Sequence, residues 1–394
     1  MPLGLYISVP FCRTKCSYCN FASDVFSHAI FDRYIARVCF DIEHAGESAE
    51  QMGGRFERAV DSIYLGGGTP TILDISPLER LFVTISQNLV VATDAEITVE
   101  CAPGMLTAPM IETFRRCGVN RVSLGVQSFV DAETASVGRL HKRATVLEDL
   151  ACLRDAGVEN INIDLIAGLP HQTSVSWEFS LSEAIASAAP HLSVYMLEVD
   201  NDSRLGRELI AGGTRYHAHF VPDEEVTATL YETACERLEA VGVKQYEISN
   251  FARAGHESRH NLKYWTRQPY LGFGVDAHSM LPGAGSEHEA VRFSSPHALD
   301  DYVAGTPPKR APVSQREAAE ETFFLGLRLN SGVDLQKADE KFGRDAMRPF
   351  LTPIAEMLSQ GLLAGQGSSL WLTPRGRLLS NEVFERFILT AGFV

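Results

Sequence analysis

Cys12, Cys16 and Cys19 form a CxxxCxxC pattern, directly after an apolar run over Leu3–Val9. The chain has eight cysteines, and the other five, Cys39, Cys101, Cys117, Cys152 and Cys235, are scattered. A disulfide framework would spread its cysteines through a small secreted domain, whereas a tight group in a reducing compartment more often holds metal. Structural zinc wants four ligands and usually shows paired CxxC knuckles, and no second pair occurs here. An iron–sulfur cluster normally takes four thiolates, so three leave one iron open to a further ligand. Spacing and position after a strand favour a [4Fe–4S] cluster over zinc. The five scattered cysteines read as buried small apolar side chains.

Other candidates for the same chemistry close later apolar runs. Gly66-Gly67-Gly68-Thr69-Pro70 follows one such run, and glycines there let backbone amides approach a ligand. The plainer reading is a tight strand-to-helix turn. Glu100, Gln127 and Asp164 are expected to end the third, fourth and fifth strands. One such residue is often a helix cap, but three in register suggest one shared ligand. Arg139 could pair bidentately with a carboxylate, or be a solvated surface arginine.

These residues need a scaffold that brings strand ends together. Strand-like runs occur at Leu3–Val9, Ser62–Leu65, Ile97–Glu100, Arg121–Val126, Ile161–Ile166 and Leu192–Val199. Helical periodicity falls between them, at Phe31–Glu47, Pro77–Leu89, Pro109–Cys117, Thr145–Ala156 and Val175–Ala188. The alternation predicts right-handed βαβ units around a parallel sheet, with too few units for a closed eight-stranded barrel. The expected fold class is α/β, an open, partial (β/α)6 barrel. A further helix is expected at Asp223–Ala240, then a Gly- and aromatic-rich region from Tyr246 to Met280. Thr306–Pro312 reads as a linker. Helices near Gln315–Leu329, Leu335–Phe342 and Ala346–Gln360, a hairpin at Leu362–Leu372 and a last helix predict a small winged-helix-like α+β domain. The expected domains are a core over 1–220, a barrel extension over 221–305 and a C-terminal domain over 313–394.

A hydrophobic share of 45% supports a sizeable core. A net charge of −15 argues against phosphate-backbone binding, so no nucleic-acid partner is expected. No apolar run reaches membrane-spanning length and the N-terminus shows no signal-peptide pattern, so the expected location is cytoplasmic. Peripheral membrane contact and a homodimer stay open.

Longer motifs extend the argument. LYISVPFCRTKCSYCNF, YLGGGTPT, LGVQSF, GRLHKR, INIDLIAGLP, HLSVYMLEV and YEISNFARAGHESRHNLKYW occur in this order. The chain thereby resembles the radical-SAM oxygen-independent coproporphyrinogen III oxidase family over nearly its whole length. The resemblance implies a [4Fe–4S] cluster on the three loop cysteines, with S-adenosylmethionine (SAM) chelated by the open iron. It implies a SAM site of Tyr6, Gly67, Gly68, Thr69, Glu100, Gln127, Arg139 and Asp164. The family has a dehydrogenase branch, which decarboxylates coproporphyrinogen III, and a haem chaperone branch. The dehydrogenases carry a further cysteine two residues after the third ligand, where this chain has Phe21. They also carry a segment ahead of the cluster loop, expected here to be missing because Tyr6 and Cys12 lie so near Met1. The chaperone branch carries His-Asn-x-x-Tyr-Trp, here His260-Asn261-Leu262-Lys263-Tyr264-Trp265. The expected function is therefore a carrier that binds cluster, SAM and haem and passes haem to respiratory haem proteins. The rival is anaerobic oxidative decarboxylation of coproporphyrinogen III. His260 is the candidate axial ligand to haem, or else a hydrogen-bonding residue in a packed corner, with His141, His217, His219 and His278 behind it. Two positions depart from the family pattern: Ser8, where histidine is frequent, and Asp276, where glycine is usual.

Overall fold

The computed structural model describes residues 1–389 except Asp202 and Ser286. Twelve strands form one sheet in it. The first six are β1 (Leu3–Val9), β2 (Ala59–Gly67), β3 (Val90–Cys101), β4 (Arg121–Gln127), β5 (Asn160–Ala167) and β6 (His191–Met196). Each pairs in parallel with the next, and long crossover helices join them. Both faces are covered, so β1 reads as a nearly unbroken apolar run rather than as alternation.

The rest of the sheet grows from both ends of this core. β7 (Lys244–Gln245) and β8 (Asn250–Ala252) extend it antiparallel beyond β6. β9 (Tyr270–Phe273) pairs in parallel with β1, an addition the sequence did not announce. β10 (His278–Pro282), β11 (Ala290–Ser294) and β12 (Lys309–Val313) follow it antiparallel. The linker expected at Thr306–Pro312 is therefore corrected: its second half is β12, at the edge of the sheet. An edge strand tolerates Pro312, and the prolines made the stretch read as a connector. β3 runs seven residues further towards its start than expected, because Val90 and Val91 pair with the base of β2 beyond a register shift. The expected helix Phe31–Glu47 is two, Phe31–Glu43 and Ala45–Gln51, broken at His44.

The C-terminal region packs the helices Gln315–Gly326, Leu335–Phe342 and Leu351–Ser359 against a small antiparallel sheet. That sheet holds β13 (Val333–Asp334), β14 (Leu363–Gln366) and β15 (Ser369–Leu372). The helix expected at Ala346–Gln360 is interrupted by a 3-10 turn at Arg348–Phe350, where Pro349 denies a backbone donor. Phe323 and Phe387 stack with ring centroids 4.8 Å apart at its centre. This second core also includes Tyr270 and Met280, so it is continuous with the β9–β10 wall.

Candidate functional site

The cysteine loop is tied to three neighbours. Gly68 N–H donates to the Val9 carbonyl (3.0 Å) and Thr69 N–H to that of Phe11 (2.8 Å), fastening the loop to the end of β2. Ser17 N–H reaches the Val137 carbonyl (3.1 Å), and the Thr14 hydroxyl reaches that of Gly138 (3.2 Å). Leu205 N–H donates to the Ser17 carbonyl (2.8 Å). Lys15 Nζ closes the loop on the Ser23 and Phe21 carbonyls. Burial pushes the Cys12 thiol up, partly offset by hydrogen bonds from Thr69 and Ser23, and the Cys19 and Cys16 thiols push it further. The three thiols are thus electrostatic neighbours. Among the described residues, no group of three or more His, Cys, Asp or Glu side chains is placed to hold a metal ion. A cubane offers a different iron to each thiolate, so its thiols stand further apart than the ligands of one ion, and the donor set fits a cluster. Elsewhere Cys39 and Cys101 are buried as expected, but Cys152 is exposed, on the solvent side of its helix.

The glycine run is shaped by contact. A Cβ on Gly66 would sit 2.9 Å from the Glu100 carboxylate, and one on Gly68 would sit 2.7 Å from the Val9 carbonyl oxygen. Gly67 adopts φ +97°, and its Cβ would meet Ser8 Oγ at 3.0 Å and the Tyr6 hydroxyl at 3.2 Å. Glu100 accepts from the Tyr64 hydroxyl at 2.8 Å. Burial raises its carboxyl to about 7, opposed by the hydrogen bonds from Tyr64 and the Gly67 N–H and reinforced by the charge of Asp164.

Gln127 closes β4 at φ 69°, a left-handed conformation uncommon for a side chain of its size. Gly125 makes room beside it: a Cβ there would lie 2.8 Å from Arg139 Nη2 and 3.1 Å from Gln127 Nε2. Gln127 and Arg139 therefore converge on one point. Burial works against the charge of Arg139, but Tyr18 and the Cys16 and Cys12 thiols outweigh it and hold the guanidinium protonated. Arg139 Nε is buried with no protein partner among the described residues. A surface arginine would not be so placed.

Asp164 departs from expectation. It lies three residues before the end of β5, deeper in the barrel, and accepts from Ser123 (3.1 Å) and Asn162 (2.7 Å). Burial raises its carboxyl, against those hydrogen bonds and one from Ser193. Arg121, 1% exposed, is a residue the sequence reading missed. Its charge bears on Glu100, Asp164 and Tyr64, making it the cation of the barrel floor. The signal was there: Arg121, Ser123, Gly125 and Gln127 alternate along β4 at strand period.

His260 is the second residue of the short helix Arg259–Trp265, whose first amides are capped by Ser258 Oγ and the Glu96 carboxylate. His260 is 1% exposed. Nδ1 bonds Ser62 Oγ at 3.0 Å and Nε2 bonds the Tyr264 hydroxyl at 2.8 Å. Burial, then the Lys263 and Arg121 charges, lowers the imidazole to about 3. Both ring nitrogens are thus engaged by protein groups, as in a packed corner, and ligating iron would require His260 to give up one of these hydrogen bonds. Tyr264, which it orients, reaches a cleft of about 330 Å³ that also borders Tyr6, Gly67, Phe21, Asp276 and His278.

A three-cysteine loop on the first strand of an open parallel barrel, with a glycine turn and a polar row at the following strand ends, defines a radical-SAM protein. Residues 6–182 match the Radical SAM superfamily and residues 313–379 the HemN C-terminal domain. Membership of that superfamily implies a [4Fe–4S] cluster and SAM as cofactors. The Heme chaperone HemW of Bacillus subtilis (strain 168) is 35% identical over 387 residues, spanning 97% of this chain and 98% of that one. The Heme chaperone HemW of Escherichia coli (strain K12) is 30% identical over 395 residues, spanning 98% of each. The chain belongs to the heme chaperone HemW family. Among solved structures, coproporphyrinogen III oxidase (HemN) from Escherichia coli superposes with a TM-score of 0.82 at 24% identity, covering 98% of this chain and 90% of that one. That likeness is one of fold.

Proposed function

We propose that this chain is a haem carrier that binds a [4Fe–4S] cluster, SAM and haem and delivers haem to haem proteins. The observation that carries the reading is the likeness to heme chaperones along the full length of both chains. Cys12, Cys16 and Cys19 would hold the cluster, which supplies an open iron and one-electron chemistry when bound. Glu100, beside the Gly67 amide and the Tyr6 hydroxyl, would accept from the methionine amine of SAM. Arg139 and Gln127 would take its carboxylate, with Thr69 and Gly68 securing the loop and Asp164 lining the floor beneath. Phe21, 64% exposed, stands where the rival dehydrogenases carry a further cysteine. The same reading places the chain in the cytoplasm, with respiratory haem proteins as acceptors. No helix among the described residues is long and apolar enough to cross a membrane.

The test is transfer. Reconstituted protein is loaded with haem under anaerobic conditions, mixed with an apo-haem protein, and followed by the acceptor's absorbance. Transfer faster than from free haem supports the reading. Haem that fails to bind, or binds and never leaves, removes it.

A further inference from the structure

Resting on that reading, we infer that an iron porphyrin seats in the cleft beyond β1, β9 and β10, with the His278 imidazole as axial ligand to its iron. Three independent observations meet there. The cleft joins the SAM end of the barrel, at Tyr6 and Gly67, to an aromatic wall of Tyr264 and Tyr270, whose rings lie 4.6 Å apart edge to face. A flat macrocycle is held by such faces. The volume of about 330 Å³ lies at the low end of ligand pockets, about 300–1,000 Å³. One edge of a porphyrin would therefore project past Phe21 into solvent, where an acceptor can reach it.

The second observation is the state of the histidines. His260 and His191 are buried with both ring nitrogens engaged, His191 by Asn162 (2.6 Å) and the Tyr246 hydroxyl (3.0 Å). His141 is buried and bonded to the Val126 carbonyl at 3.0 Å. His171 and His217 bond each other at 2.9 Å. His278 is the histidine that borders the cleft among the described residues; it is exposed, and none of them bonds its ring.

The third observation is rigidity beneath a free side chain. His278 opens β10, opposite Ser294 of β11. Gly272 packs so closely on the His278 carbonyl that a Cβ could not fit between them, and the Ser279 hydroxyl accepts from Gly272 N–H at 2.9 Å. A fixed backbone carrying an unencumbered imidazole can ligate iron without first breaking a hydrogen bond. It can also release iron without leaving a buried polar group unpaired. That asymmetry suits a carrier.

The test compares wild type, His278→Ala and His171→Ala, all reconstituted, in haem titrations read by absorbance and by the axial-ligand signature in magnetic circular dichroism. His278→Ala should bind haem roughly tenfold or more weakly and lose the histidine signature. Added imidazole should restore the signature in that variant, while His171→Ala should behave as wild type. If His278→Ala keeps both affinity and signature while wild type binds haem, the ligand is another residue and the inference falls alone. If wild type binds no haem, the carrier reading falls and takes this inference with it.

Discussion

Glu100→Gln should do two opposite things. Glu100 is held at about 7, where an ordinary carboxyl titrates at 4.5, chiefly because burial disfavours its charge. Its proposed role is to accept from the SAM amine, which requires the ionised form. About a tenth of such a carboxyl is ionised at pH 6 and about nine tenths at pH 8, so SAM affinity should rise roughly tenfold, or about 1.4 kcal/mol, across that range. The amine's own ionisation acts equally on wild type and on Glu100→Gln, so their ratio isolates Glu100. The variant should bind SAM more weakly at pH 8 and lose that part of the pH slope. For folding the sign reverses. A carboxyl raised in the folded state holds its proton more tightly there, so its contribution is fullest below pH 4.5 and is lost as the pH rises to 7. Unliganded Glu100→Gln should thus be more stable than wild type at pH 8, by on the order of 1–3 kcal/mol after allowing for partial solvent access, and near equal at pH 4.5. Equilibrium dialysis with SAM and thermal unfolding at both pH values read the two effects. Equal pH slopes in the two proteins, or a variant less stable than wild type at pH 8, would show that Glu100 neither binds SAM as a carboxylate nor is strained by its burial.

Three further perturbations test neighbouring parts. Cys12→Ala, Cys16→Ala and Cys19→Ala should each lose the iron and sulfide of the cluster, while Cys101→Ala and Cys152→Ala keep them; the reverse pattern would sink the assignment. Arg139→Ala should weaken SAM binding by about 2–5 kcal/mol with the cluster intact, and unchanged affinity would remove Arg139 from the site. Gly68→Ala places a Cβ 2.7–2.9 Å from the Val9 and Phe11 backbone and should cost about 1–3 kcal/mol, with lower cluster occupancy. Unchanged unfolding temperature and iron content would show that the loop has slack there.

The parallel core was legible because burial on both faces leaves unbroken apolar runs; β1 falls on Leu3–Val9 as its sequence says. Tyr270–Phe273 was harder to read as a strand, being four residues long and interrupted by Gly272, and only pairing with β1 makes it one. β12 hid behind its prolines. At the site, spacing pointed to the cysteine loop and the glycine turn, whose side chains and turns are local. The depth of Asp164, the counter-charge of Arg121 and the enclosure of His260 depend on which strands and helices meet inside the barrel, and no local pattern records that. The His-Asn-x-x-Tyr-Trp motif drew attention to His260, yet its first residue anchors the helix and its tyrosine is what reaches the cleft.

A haem carrier should pass haem on and leave a porphyrinogen undecarboxylated. The direct measurement is one anaerobic preparation, replete in cluster and SAM and supplied with reductant, divided between coproporphyrinogen III and haem. The first half should form no protoporphyrinogen IX over multiple turnovers. The second should show a haem absorbance band that passes to an apo-haem protein. Steady formation of protoporphyrinogen IX, with no transferable haem, would contradict the carrier reading.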